Sequence, residues 1–125
     1  MNKISLIEIT DNRGSLIALN RLPFEVKRFF TLKNIKTTRG GHAHKKLWEI
    51  LIAVSGSCRV TSDDTKIITH EYLNSPTEAV VIPPKLWRII DSCTPDCVIV
   101  SLCSEELDES DYIRKYSDFV KEVSI

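Results

Sequence analysis

No sign of charge dominates this chain. Its 125 residues carry 17 Lys plus Arg against 17 Asp plus Glu, so the formal net charge at neutral pH is zero. Without a broad basic field, neither nucleic acid nor an anionic membrane surface is an expected partner. An anionic ligand would have to be met by individually placed arginines. Long apolar runs are also missing. The first ten residues mix charged and polar side chains with short apolar ones, a pattern that fits neither a signal peptide nor a membrane span. The expected location is the cytoplasm. Cysteine is sparse, and Cys93-x3-Cys97 has no matching second pair, so no zinc site is expected there. Cys58, Cys93, Cys97 and Cys103 fit reduced thiols in apolar runs. No stretch reads as a linker, a low-complexity tract or an internal repeat. A single domain over residues 1–125 follows, long enough to bury a core without disulfide staples.

What the chain does have is a series of short apolar runs. They fall at Ile4–Ile9, Leu16–Leu19, Lys27–Leu32, Leu47–Val54, Cys58–Thr61, Lys66–Leu73, Ala79–Ile82, Trp87–Asp91 and Val98–Cys103. Turn formers separate them, including Asn12-Arg13-Gly14, Ser55-Gly56-Ser57 and Asp63-Asp64-Thr65. Many short strands joined by tight turns predict an all-β sandwich or barrel. Only the end changes period. Tyr112, Ile113, Tyr116, Phe119, Val120 and Val123 recur at helical spacing, which predicts an amphipathic helix over about 110–122. Asp108 and Asp111 suit the positive end of that helix.

Three histidines are present, and two of them, His42 and His44, stand two residues apart. In an extended strand that spacing turns both imidazoles to one face. Arg39 precedes them and Glu49 follows, closed by Gly56, giving H-x-H-x4-E-x6-G. His42 and Glu49 are seven apart, so one unbroken strand would send them to opposite faces. A turn at Lys45-Lys46 resets the register and lets all three face one cavity. This cluster either holds a metal or moves protons. Imidazole and carboxylate suit Zn, Fe, Ni or Mn. Histidine pairs also exchange protons near neutral pH, and a neighbouring cation can stabilise an enolate oxygen. Arg13, Arg28, Arg39 and Arg88 are candidates for clamping phosphate oxygens. His70, in a polar strand, reads as a surface residue, and Asp63-Asp64 as turn-shaping. Trp87 is a candidate for stacking on a base or sugar, whereas Trp48 reads as barrel core.

The H-x-H-x4-E-x6-G run resembles the first motif of the cupins, small jelly-roll barrels of the double-stranded β-helix type. Metal cupins supply a further histidine from P-x-G-x-x-H; here Pro83-Pro84-Lys85-Leu86-Trp87-Arg88 lacks the glycine and ends in an arginine, which cannot ligate. The resemblance becomes specific along the whole chain. Leu22 to Arg28, Arg39 to Lys46, Gly56 to Val60, Asp11 to Leu16 and Asp111 to Tyr116 together resemble the WxcM-like (FdtA-type) cupin family of sugar nucleotide 3,4-ketoisomerases. The resemblance implies an all-β cupin barrel with a short C-terminal helix. It implies conversion of dTDP-4-keto-6-deoxy-D-glucose to a 3-keto sugar, with no metal or other cofactor, in a homodimer that exchanges N-terminal strands. It makes His42 the base at C3 and His44 the carrier of protons between O3 and O4, with Arg39 towards the diphosphate.

Four departures from the family pattern stand out. Phe30 and Thr31 replace a common Tyr-Tyr pair, so Phe30 keeps a place against substrate but loses a hydroxyl. Gly41 replaces a bulky residue, Glu49 a common Gln, and Arg88 a common His. Glu49 keeps open a metal-dependent alternative built on His42, His44 and Glu49. The lost hydroxyls keep open a catalytically inactive nucleotide-sugar-binding module.

Overall fold

The structure, a computed structural model, describes residues 1–124. Twelve strands form: β1 (Asn2–Ser5), β2 (Ile7–Asp11), β3 (Gly14–Ala18), β4 (Arg28–Lys33), β5 (Arg39–His44), β6 (Glu49–Ser55), β7 (Cys58–Asp63), β8 (Ile68–Leu73), β9 (Glu78–Ile82), β10 (Trp87–Asp91), β11 (Val98–Cys103) and β12 (Tyr112–Ile113). One helix, α1 (Tyr116–Val123), follows. Two five-stranded sheets, β1-β9-β6-β11-β4 and β12-β5-β10-β7-β8, face each other, and β2-β3 stands apart as a hairpin. All pairings are antiparallel. This is the jelly-roll barrel expected from the sequence. Among the described residues no helix is long and apolar enough to cross a membrane.

Strand parity decides what lies between the sheets. Leu51 and Ala53 of β6, Val60 of β7, Val80 and Ile82 of β9, Ile90 of β10 and Ile99 of β11 meet there as the main core. The alternate residues Ile50 and Ile52 of β6 point outward. They are buried too, because Ile4, Leu6, Leu19 and Phe24 cover that outer face. This double burial explains why β6 reads as a continuous apolar run rather than an alternating one. On the opposite sheet, Phe119 of α1 packs over Ala43 and Ile113.

Three sequence expectations need correction. The run Ile4–Ile9 is not one strand. At Leu6, whose N–H donates to the Thr77 carbonyl at 2.7 Å, the chain leaves one sheet and starts the separate hairpin. The helix is also shorter than 110–122. Glu109–Asp111 forms a 3-10 turn capped by Asp108, and Tyr112–Ile113 pairs with His44 and Ala43 in β5. Tyr112 and Ile113 keep the helical spacing only by coincidence, since two residues of strand cannot break a period of 3.6. Trp48, expected in the core, is exposed.

The Ser55-Gly56-Ser57 turn is locked to the loop before β11. Ser57 N–H donates to Thr94 Oγ1 at 2.9 Å, and Thr94 N–H donates to the Ser57 carbonyl at 3.0 Å. Gly56 adopts φ +66°, and a Cβ there would lie 2.4 Å from Thr94 Oγ1 and 2.8 Å from Cys97 Cα. Left-handed strain and overpacking each cost about 1–3 kcal/mol. Gly56→Ala is therefore expected to lower unfolding free energy by about 2–4 kcal/mol. Urea denaturation followed by circular dichroism checks this, and an unchanged midpoint would contradict it.

Candidate active site

The interior of the barrel changes character along its length. Moving along β6 from Ala53 through Leu51, the inward positions end at Glu49; along β10, Ile90 gives way to Arg88; along β11, Ile99 gives way to Ser101 and Cys103. At this polar end opens a cavity of about 210 Å³, lined by Phe30, Arg39, His42, Glu49, Arg88 and Tyr112 among others. That is smaller than the roughly 300–1,000 Å³ of pockets that enclose drug-sized ligands. It has room for a sugar ring, with anything larger left at the mouth.

β5 supplies both imidazoles. The chain bends at Lys45-Lys46 and restarts at Glu49, so His42 and Glu49 face the same cavity as the parity argument requires. Gly40 permits β5 to approach β10 closely. A Cβ there would sit 2.9 Å from the Arg88 carbonyl, beside the bulge between Arg88 and Ile89. His42 lies opposite Arg88 in the ladder, and its ring meets that of His44 edge-on at 4.8 Å between centroids. Tyr112 packs over both rings, 5.2 Å from His42 and 4.3 Å from His44.

Arg88 is 1% exposed. Its Nη2 donates to the Pro83 carbonyl at 3.3 Å, while Nη1 stands 3.7 Å from Glu49 Oε1, close enough for charge attraction but not for a hydrogen bond. Among the described residues, Nε and Nη1 have no hydrogen-bond partner. Glu49 accepts a 2.5 Å hydrogen bond from the Ser101 hydroxyl on its other oxygen. Its carboxylate is thus turned onto Ser101 and Arg88. Among the described residues, no three His, Cys, Asp or Glu side chains gather as a metal-binding group.

Electrostatics keep the imidazoles neutral. Burial first, then the Arg88 charge and His44, push His42 down to about 3. His44 is also lowered by burial and Arg88, against the opposing pull of a hydrogen bond to Asp111. A neutral imidazole has a lone pair with which to take a proton, and Arg88 has N–H groups with which to receive a developing oxyanion.

The candidates separate as follows. His42, Phe30, Arg39 and Arg88 line the cavity, and His44 lies directly behind His42. Arg28 comes in from β4, its Nη2 3.5 Å from the Tyr112 hydroxyl. In β4, Arg28, Phe30 and Leu32 face inward while Phe29 and Thr31 face solvent. Of the Phe30–Thr31 departure, only Phe30 touches the cavity. Trp87 does not reach it. One residue out of phase with Arg88, it points to the outer face and packs edge-on against Tyr116, with centroids 5.4 Å apart. Arg13 is not brought there either. It sits at the tip of the β2-β3 hairpin, paired with Asp11 and largely exposed. Exposed His70 accepts or donates a 2.8 Å bond with Thr61. Asp111, Tyr112, Arg114 and Ser101 are site residues that sequence reasoning missed. The one available signal was that residues 111–116 matched the family as a block, which helical periodicity obscured.

Fold and cavity define a small cupin whose polar end sets two imidazoles beside a buried cation. The FdtA family model, described as WxcM-like, C-terminal, matches residues 1–124, and the chain belongs to that family. A TDP-4-oxo-6-deoxy-alpha-D-glucose-3,4-oxoisomerase from Aneurinibacillus thermoaerophilus is 40% identical over 126 residues, covering 97% of this chain and 91% of that protein. A sugar 3,4-ketoisomerase from Thermoanaerobacterium thermosaccharolyticum, solved with TDP, matches with a TM-score of 0.94 at 33% identity, covering 98% of this chain and 93% of that one. A mutant of the same enzyme, solved with TDP-4-keto-6-deoxyglucose, also gives 0.94, at 32% identity and the same coverage.

The depressed His42 pKa has a pH signature. A histidine protonates near 6.5 when unfolded, but His42 does so at about 3 when folded. Between those values the unfolded chain binds more protons, so His42 makes stability rise with pH across that window and fall on acidification through it. The expected result is a urea midpoint that drops from pH 6.5 towards 3, with a smaller drop in His42→Gln. NMR should show the His42 ring still neutral at pH 5. A His42 titration midpoint near 6.5 would contradict this electrostatic account.

Proposed function

We propose that this chain, as one domain, is a dTDP-4-keto-6-deoxy-D-glucose 3,4-ketoisomerase. The observation that carries the proposal is His42, held neutral in the lining of a cavity where buried Arg88 has N–H groups unpartnered among the described residues, with neutral His44 behind it. The relatives' activities point the same way. The chemistry is a carbon-acid reaction. His42 takes the proton from C3, and the C3–H electron pair forms the C3=C4 double bond as the C4 carbonyl electrons move onto O4. Arg88 stabilises that oxyanion. His44 assists transfer of the O3 proton to O4, and return of a proton to C4 leaves the ketone at C3. Atoms and electrons balance within the substrate, so the reaction is an isomerisation. The product is an acceptor for amination at C3, on a route to a dTDP-3-amino-3,6-dideoxyhexose, in the cytoplasm.

A cavity of this size supports a pose with the sugar inside and the nucleotide at its mouth. Exposed Arg39 and Arg114 are there to meet the diphosphate. Arg114 is itself stacked over Tyr112 at 4.2 Å.

The working form is proposed to be a homodimer that exchanges its N-terminal strands. Among the described residues β2 and β3 pair only with each other, and Ile7, Ile9 and Leu16 are about half exposed on them. An isolated two-stranded hairpin is marginal in water. Docking against a second copy would cover that apolar surface and could bring Arg13 to the partner's cavity. Light scattering is expected to give twice the 14.2 kDa chain mass, and Ile9→Asp with Leu16→Asp to give monomers. A monomeric wild type would refute the exchange.

Incubation with dTDP-4-keto-6-deoxyglucose in deuterated water is expected to yield the 3-keto isomer, identified by NMR together with its C4 configuration. His42→Asn is expected to lower kcat by about 10²–10⁴-fold, the usual contribution of general acid–base catalysis. Absence of turnover by folded wild-type protein, beside an active control isomerase, would overturn the proposal.

A further inference from the structure

The two histidines are not equivalent. Within the described residues His42 has no carboxylate hydrogen bond, whereas His44 Nδ1 lies 2.9 Å from Asp111 Oδ2 with both side chains buried. Asp111 is fixed on every side. Its Oδ1 accepts the Lys46 N–H at 2.7 Å, its carbonyl accepts the Lys45 N–H at 3.0 Å, and its own N–H donates to the Asp108 carbonyl at 3.0 Å. The 3-10 turn and the Lys45-Lys46 bend are thus tied together around one carboxylate. The next residue, Tyr112, pairs with His44 in the ladder.

Donor and acceptor rules then set the tautomer. A backbone N–H can only donate, so Asp111 Oδ1 is committed to Lys46. An ionised carboxylate oxygen can only accept, so the proton between Oδ2 and the ring belongs to Nδ1. In the neutral ring the lone pair is therefore on Nε2. We propose that Asp111 is a positioning residue for His44: it holds the ring as the Nδ1–H tautomer and pairs with the imidazolium formed when Nε2 takes a proton. The inference rests on the ketoisomerase reading and gives a structural ground for the different parts that reading gives the two imidazoles. His42, without a carboxylate, is the neutral base at carbon. His44, backed by Asp111, is the site where a proton can rest while it passes between O3 and O4. The groups around it have opposite effects. Burial first, then Arg88, disfavour a positive charge on His44 and hold it neutral at rest, while Asp111 and Glu49 oppose them and favour the charge.

A purely structural Asp111 would staple the C-terminal segment and leave the tautomer and the chemistry indifferent. Two measurements separate these roles. First, imidazole ¹⁵N NMR of the full-length wild type bound to TDP, with His70→Gln to aid assignment, is expected to show protonated Nδ1 and a lone-pair Nε2 at His44; the reverse tautomer overturns the proposal. Second, Asp111→Asn has one oxygen and one amide nitrogen to place. Lys46 N–H requires the oxygen, so the NH₂ faces Nδ1 and drives the proton to Nε2. The expected result is the reversed tautomer and a kcat lower by about 10²–10⁴-fold, with KM and TDP affinity little changed. Wild-type kcat in a folded Asp111→Asn protein overturns the proposal. If that variant does not fold, the wild-type tautomer alone decides. Failure of the wild type to isomerise the keto sugar is a separate result, which removes the ketoisomerase reading and not the tautomer assignment.

Discussion

A guanidinium enclosed by the barrel sets the terms for everything around it. Arg88 enters from β10 with 1% exposure, and among the described residues only Nη2 has a hydrogen-bond acceptor. A buried charge without compensation is costly, and compensation has to come from nearby groups because water is excluded. Glu49 supplies the opposite charge at 3.7 Å, held in place by Ser101. The histidines adjust by staying neutral, since a second cation beside Arg88 would add repulsion to desolvation. Neutral imidazoles are the form that can accept a proton from carbon. The same charge that makes the pocket expensive therefore also keeps the imidazoles in the form that the proposed reaction needs.

The apolar half of the barrel makes this arrangement possible. Three central strands carry apolar core residues inward along one part and polar ones towards one end of the barrel: Leu51 then Glu49 on β6, Ile90 then Arg88 on β10, Ile99 then Ser101 on β11. Rigid packing below fixes the polar groups above to within the tolerance that proton transfer needs. Because antiparallel register is shared across neighbours, the polar residues fall at one end together rather than being scattered.

Much of this was legible because strands impose parity. His42-x-His44 on one face, the reset at Lys45-Lys46, and the alternation of Phe30 with Thr31 all follow from a period of two. The same rule, applied to Trp87, places it opposite Arg88 and outside the cavity, so assigning both to one ligand conflicted with the strand between them. Asp111 and Tyr112 were hidden for another reason. They sit where a 3-10 turn and a two-residue strand precede α1, segments too short to impose a period, and their partners are 67 and 68 residues away in β5. A contact between segments so distant leaves no local pattern. Among the described residues, Arg13 lies on a hairpin that pairs with no other strand, so no local pattern ties it to a cavity.

Glu49 and Arg88 looked like two independent departures from the family pattern, and the fold joins them. They come from β6 and β10, strands of opposite sheets, yet their side chains face each other across the barrel. An arginine in place of a common histidine brings a permanent charge into the interior, and a glutamate in place of a common glutamine brings its counterion. Either change alone would be unfavourable. Arginine with glutamine leaves a cation without a counter-charge, and glutamate with histidine assembles three imidazoles and a carboxylate, the donor set of a metal site. Together they keep the interior electrically balanced, turn the carboxylate onto Arg88 and Ser101, and leave the two rings neutral, as the proposed proton chemistry needs.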